Sequence, residues 1–135
     1  MAANVMRILI ADDHAIVRKG LREILREEAT DAYVEEASNG REALDKARAS
    51  EWDVMVLDIT MPGMSGLEVL RKIKDDKPDL PVIMLSMHSS SSFVTASLKI
   101  GASGYLNKES APEELIEAIR TVTTGATYVS RSLRI

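Results

Sequence analysis

The stretch that most constrains the fold is Asp53-Val54-Met55-Val56-Leu57-Asp58, with the turn Ile59-Thr60-Met61-Pro62-Gly63-Met64-Ser65-Gly66 behind it. Four apolar residues run straight into an aspartate. A strand that is apolar at every position has both faces covered, as inside a parallel sheet. In open parallel sheets, ligands sit beyond the carboxyl ends of the strands. Asp58 stands at that edge and is the first candidate functional residue.

The rest of the chain alternates around this strand. Val5 to Ala11 is apolar and predicts a first, central strand, ended by Asp12-Asp13-His14. Ile16, Val17, Gly20, Leu21, Ile24 and Leu25 recur at helical spacing. Gly20 costs that helix stability unless close packing demands it. Ala32 to Ala37 has the mixed composition of an edge strand, and Asn39 with Glu42 reads as a helix start. Trp52 reads as packing at a helix–strand junction. Ser65 with Glu68 repeats the capping pattern before Leu67, Leu70 and Ile73, and Lys77 to Pro81 breaks that helix. Val82 to Leu85 predicts a fourth strand. A fourth helix with a thin apolar face begins near Ser89 to Ser92 and ends before Gly101. Ala102 to Leu106 predicts a short fifth strand. Ser110 with Glu113 predicts a capping box for a last helix, which Gly125 stops. Thr127 to Ile135 shows no periodicity and is expected to begin a linker or fray.

Five strand–helix units imply parallel pairing and right-handed crossovers. The expected fold is α/β: a five-stranded doubly wound (βα)5 three-layer sandwich. At 135 residues this is one domain, with a boundary expected after residue 126. There is no cysteine, which excludes disulfides, thiolate nucleophiles and cysteine zinc sites. A net charge of −4 gives no reason to expect a grip on nucleic acid or an anionic membrane. No apolar run reaches the roughly 18 residues of a membrane span. No signal peptide is expected before the first strand, so the expected compartment is the cytosol.

The strand ends carry matched chemistry. The first ends in Asp12-Asp13, the third in Asp58 and the fourth in Ser86, while Lys108 lies just past the fifth. Parallel strands bring these ends to one edge. Three converging carboxylates repel one another and need a cation. Hard oxygen ligands in an incomplete shell suit Mg²⁺, which keeps some of its waters and often meets phosphate. Lys108 would pair with one oxygen of an incoming phosphoryl group and Ser86 would donate to another, leaving Asp58 as the nucleophile. Taken singly, each has a plainer reading. An Asp-Asp pair can be a turn and cap, Asp58 can cap a loop, Ser86 can be a loop residue, and Lys108 a solvated surface lysine. Their joint placement at the strand ends raises the whole set above its parts.

On Asp12-Asp13-His14, Leu57-Asp58 with Met61-Pro62 and Gly66, Ser86, and Gly101 to Leu106 with Lys108, the chain resembles the receiver domain of bacterial two-component response regulators. Val17-Arg18, Gly20-Leu21 and the segment from Gly101 to Lys108 resemble the NarL/FixJ branch, whose members carry a LuxR-type helix-turn-helix domain. The resemblance covers roughly Arg7 to Thr124 and implies the flavodoxin-like sheet order 2-1-3-4-5. It implies a phosphorylation switch in which Asp58 accepts a phosphoryl group from a sensor histidine kinase. It implies Asp12, Asp13, Asp58 and the carbonyl of Thr60 as Mg²⁺ ligands, Ser86 as a phosphoryl contact and Tyr105 as an aromatic switch. Thr60 and His88 would tune the lifetime of the phosphoryl group. A homodimer through the face of the fourth helix, fifth strand and fifth helix is a further implication. From the sequence alone Tyr105 reads as strand packing.

The chain departs from the family in two places. Ser89 to Ser92 stand where the branch usually has acidic residues, which removes charge from one end of the output face. Glu109, not proline, follows Lys108; a cis bond there would cost about 2.5 to 4 kcal/mol. DNA binding would belong to an output domain outside this chain. The resemblance implies that this receiver domain catalyses its own phosphorylation and dephosphorylation at Asp58 without being a classical enzyme. The alternative function is a receiver fold serving as a constitutive interaction module without phosphoryl transfer. A small nucleotide-binding enzyme is disfavoured, because Asp12-Asp13 occupies the place of a glycine-rich phosphate loop.

Overall fold

The computed structural model describes residues 5–29, 31–87 and 91–133. The elements run β1 (Arg7–Ala11), α1 (Ala15–Glu28), β2 (Tyr33–Ala37), α2 (Gly40–Ala49), β3 (Val54–Asp58), α3 (Gly66–Asp76), β4 (Val82–Ser86), α4 (Ser91–Ile100), β5 (Gly104–Asn107), α5 (Ala111–Thr123) and β6 (Tyr128–Val129). A single 3₁₀ turn, Arg131–Leu133, closes the described chain. The sheet is parallel throughout, in the order β2-β1-β3-β4-β5-β6.

Alternation along the central strands divides the core in two. Leu9, Met55, Leu57, Val82, Met84 and Tyr105 point toward Ala43, Leu44, Val69, Leu70 and Ile73 of α2 and α3. Ile8, Ile10, Val54, Val56, Ile83, Leu85 and Leu106 point the other way, toward Leu21 and Leu25 of α1 and Leu115, Ile119 and Val122 of α5. Every residue of β3 and β4 is buried, the pattern that their unbroken apolar runs predict. The mixed sequence of β2 lies at an edge, also as expected.

The helix starts differ in how far they follow expectation. Asn39 Oδ1 accepts from the Glu42 N–H at 2.8 Å, and Glu42 Oε1 reaches back to the Ser38 N–H at 2.6 Å. Ser65 Oγ accepts from the Glu68 N–H at 3.3 Å. The capping box predicted at Ser110 does not form. Ser110 sits in the right-handed helical region (φ −100°, ψ −4°), and its hydroxyl donates to the Asn107 carbonyl instead.

The C-terminal stretch also differs from expectation. Tyr128–Val129 pairs with Gly104 and Tyr105 as a sixth strand, so the sheet has one strand more than periodicity revealed. Two residues are too few to show an alternation, which is why the sequence was silent there. Gly20 has open space where a Cβ would go, so no close approach explains it.

Candidate functional site

The carboxyl ends of β1, β3, β4 and β5 meet at one edge. Asp12 continues the pairing of β1, its N–H donating to the Ala37 carbonyl at 3.0 Å, and its side chain is fully buried. Its Oδ1 accepts from the His14 N–H at 2.8 Å, which folds Asp12-Asp13-His14 into a tight turn. Asp58 is buried at the end of β3. Behind it the turn closes on Gly66, whose N–H donates to the Ile59 carbonyl at 2.7 Å. A Cβ at Gly66 would lie 2.0 Å from the Asp58 carbonyl oxygen, so no other residue fits without moving the backbone beneath Asp58.

Lys108 reaches into this cluster from the end of β5. Its backbone N–H donates to the Ser86 carbonyl at 2.9 Å, which ties it to β4. Its Nζ lies 2.8 Å from Asp12 Oδ2 and donates to Asp58 Oδ2 at 3.1 Å. The peptide bonds of the described residues are all trans, that between Lys108 and Glu109 included. Asp58 Oδ1 accepts from the Thr60 N–H at 3.2 Å. Ser86 is buried and hydrogen-bonds Tyr105, whose ring is fully buried.

Burial and the charge of Asp12 push the Asp58 carboxyl up to about 6, against the opposing pull of Lys108 and the Thr60 N–H. Burial disfavours the charged form of Lys108, but Asp12 and Asp58 outweigh it and hold its ammonium above the ordinary value. Three carboxylates thus face one ammonium, and Asp58 carries the strain of the imbalance.

The acidic set fits a hard divalent cation. Ligand atoms from Asp12, Asp13, His14 and Asp58 all lie within 4.8 Å of one another. Asp13 Oδ1 is buried and makes no hydrogen bond among the described residues, with His14 Nδ1 as a close polar neighbour at 3.2 Å. An acceptor left in that state is costly unless something electropositive meets it. The cluster opens on a cleft of about 270 Å³ lined by Asp13, His14, Asp58, Thr60, Met87 and Lys108. Size alone would mislead here. A cleft of about 730 Å³ beside Arg7, Trp52 and Asp53, at the opposite edge of the sheet, has no such acidic set.

Asp12, Asp13, Asp58, Thr60 and Lys108 therefore come together, with Ser86 behind them and Tyr105 against Ser86. His88 lies outside the described residues, as do Ser89 and Ser90 and the side chain of Ser91. His14 was not singled out from the sequence, yet its Nδ1 is 3.0 Å from Asp12 Oδ1 and 3.2 Å from Lys108 Nζ. Its place directly after Asp12-Asp13 was the available signal.

A parallel sheet of this order, with an acidic cluster and a lysine at its carboxyl edge, is a doubly wound α/β domain with its candidate site where such sheets place their ligands. The sequence profile of the response regulator receiver domain matches residues 8–120, and the chain belongs to that family. It is 38% identical over 129 residues to the response regulator UvrY of Escherichia coli K12, covering 96% of this chain and 59% of that protein. It is 43% identical over 129 residues to the oxygen regulatory protein NreC of Staphylococcus epidermidis, covering 95% and 59%. The chain thus spans about three fifths of the length of these relatives. Among solved structures it resembles a LuxR-family two-component response regulator from Aurantimonas sp. SI85-9A1 (TM-score 0.89, 35% identity, 96% and 93% of the two chains). It also resembles the isolated receiver domain of RcsB from Salmonella enterica serovar Typhimurium with phosphomimetic BeF₃⁻ (TM-score 0.84, 27% identity, 96% of each chain). The chain is therefore a receiver domain of the CheY-like fold, akin to the LuxR-type transcription regulators. No helix among the described residues is long and apolar enough to cross a membrane.

Proposed function

We propose that this receiver domain is a switch that accepts a phosphoryl group on Asp58 from the phosphohistidine of a sensor kinase. The observation that carries the reading is the buried Asp58 carboxylate, reachable from the cleft and 3.1 Å from the Lys108 ammonium. An Asp58 oxygen would bond to phosphorus as the bond from phosphorus to the kinase imidazole breaks. Lys108 would turn from the carboxylates to the oxygens of the transferred group, and the Ser86 hydroxyl would leave Tyr105 to donate there. Water attack on phosphorus would later release inorganic phosphate and restore the carboxylate.

Asp12, Asp13, Asp58 and the Thr60 carbonyl would hold Mg²⁺, which when bound supplies charge neutralisation for the transferred group. Tyr105 would report the exchange at Ser86 as a shift between two packings. Thr60 and His88 would set how long the group survives. In a longer protein the chain beyond β6 would lead to a DNA-binding output domain, and the α4–β5–α5 face would pair with a second copy. The cytoplasm is the compartment this role requires.

The test is intact mass after incubation with Mg²⁺ and acetyl phosphate, with beryllofluoride binding as a control for a short-lived product. The expected result is one added phosphoryl group, lost with chelator and absent in Asp58→Asn. Equal labelling of that variant, or neither labelling nor beryllofluoride binding, would leave the constitutive interaction module as the better account.

A further inference from the structure

A second buried carboxylate lies outside the acidic site. Glu114 of α5 is only 2% exposed. Its Oε1 accepts from the Tyr128 hydroxyl at 2.7 Å and from the Arg131 N–H at 3.0 Å, and its Oε2 from the Ser130 hydroxyl at 3.0 Å. Burial would raise its pKa, but these donors outweigh that and hold the carboxyl below its usual value. Burial, with the same contact to Glu114, pushes the Tyr128 phenol up to about 12. Glu114 therefore remains a charged acceptor; the Ser110 side chain just before α5 contributes, and the other three donors belong to the segment after α5.

The network continues toward the acidic site. Ser130, fully buried, gives its hydroxyl proton to Glu114, which turns the Ser130 oxygen to accept from the Asn107 N–H at 3.0 Å. The Ser130 N–H donates to the Tyr105 carbonyl at 2.9 Å. The Asn107 carbonyl is held from the other side by the Ser110 hydroxyl at 3.3 Å and the Ser110 N–H at 3.1 Å. Asn107 precedes Lys108, and the Lys108 N–H is fixed on Ser86. The C-terminal segment thus reaches the two β5 residues on which the site depends: Val129 pairs with Tyr105, the tyrosine behind Ser86, and the Ser130 hydroxyl holds Asn107, the residue before the lysine.

We propose that Glu114 is a positioning residue for Lys108, acting through Ser130 on the Asn107 backbone, and that this relay couples β6 to the state of the acidic site. The coupling is reciprocal: whatever holds β6 favours the present placement of Lys108, and whatever draws Lys108 away loosens β6. The functional consequence rests on the phosphoryl-transfer reading; the coupling itself does not. It gives the segment leading out of the domain a direct connection to the site, separate from the α4 face.

Ser130→Ala removes the bridge to Asn107 and leaves the Tyr128 and Arg131 bonds to Glu114. Tyr128→Phe removes a clamp on the same carboxylate and leaves the bridge. Both are compared with the unaltered chain by amide hydrogen exchange, thermal melting and beryllofluoride titration with Mg²⁺. Ser130→Ala should weaken beryllofluoride binding about five- to tenfold, and Tyr128→Phe less than twofold at a similar melting temperature. A second arm needs no phosphoryl chemistry. Asp58→Asn takes away one charged partner of Lys108 and should change exchange at the Ser130 and Arg131 amides severalfold, an effect lost when Ser130→Ala is also present. Exchange there that ignores Asp58→Asn overturns the coupling, whatever the titration shows. Equal effects of Ser130→Ala and Tyr128→Phe in both arms would reduce Glu114 to a structural clamp. Failure of the unaltered chain to bind beryllofluoride would count against the phosphoryl reading alone, and the second arm would still decide the relay.

Discussion

Asp58 and Lys108 meet at 3.1 Å but are held by opposite means. Asp58 ends a strand flanked on both sides by other strands and buried at every residue, with Gly66 pressed against its carbonyl. Lys108 follows a four-residue strand near the sheet edge; its N–H donates to the Ser86 carbonyl, and the Asn107 backbone before it donates to Ser130 and accepts from Ser110. Apolar packing is non-directional and tolerates little displacement in a close-packed core. A polar network has discrete partners that can be exchanged. The carboxylate is thus a fixed point, and the lysine is the member free to change partners.

The largest test of that contrast is Gly66→Ala. A methyl group 2.0 Å from the Asp58 carbonyl oxygen must displace the backbone of the fixed point. The expected loss is about 3 kcal/mol, the upper end for overpacking, by urea unfolding. A loss under about 1 kcal/mol would show that this end of β3 yields.

Next comes the charge imbalance. The folded chain holds the Asp58 carboxyl up at about 6, above the ordinary 3.8, so folding favours the protonated form. That contribution is fully present below about pH 3.8 and is lost as pH rises through about 6. Asp58→Asn cannot ionise and should be the more stable chain at pH 8, by up to about 3 kcal/mol. The gain should shrink on acidification and vanish near pH 4. Melting curves across that range check it, and Mg²⁺ should narrow the gap by stabilising the unaltered chain. A gain independent of pH would place its origin elsewhere.

The smallest effect lies far from the site. Gly20 in α1 has empty space where its Cβ would be and no positive φ. Gly20→Ala should stabilise the chain by about 0.5 to 1 kcal/mol without changing labelling of Asp58. Destabilisation would mean that α1 needs this glycine for a reason the fold does not display.

These two glycines mark what the sequence could reveal. Gly66 was legible because it stands in a turn behind a charged strand end. Gly20 was legible only as an anomaly. The succession of the first five strands and helices followed from unbroken apolar runs separated by helical periods, their order in the sheet from the family resemblance, and the acidic cluster from what those runs ended in. β6 is two residues long, below the length at which any period exists. Glu114 looked like one more polar residue in the first turn of α5, because three of its donors come from 14 to 17 positions further on. The capping box at Ser110 was a correct motif in the wrong backbone conformation, its hydroxyl taken by Asn107. Local pattern reports local partners; a polar side chain whose partners are distant is read correctly only once the fold is known.

The central claim, that Asp58 is the phosphoacceptor, is tested most directly by locating the acyl phosphate. Borohydride reduces an aspartyl phosphate to homoserine, which marks the residue permanently for peptide mass mapping. After treatment with acetyl phosphate and Mg²⁺, homoserine is expected at position 58 alone and at no position when Mg²⁺ is chelated. Homoserine at position 12 or 13, or labelling that persists without the cation, would contradict the account.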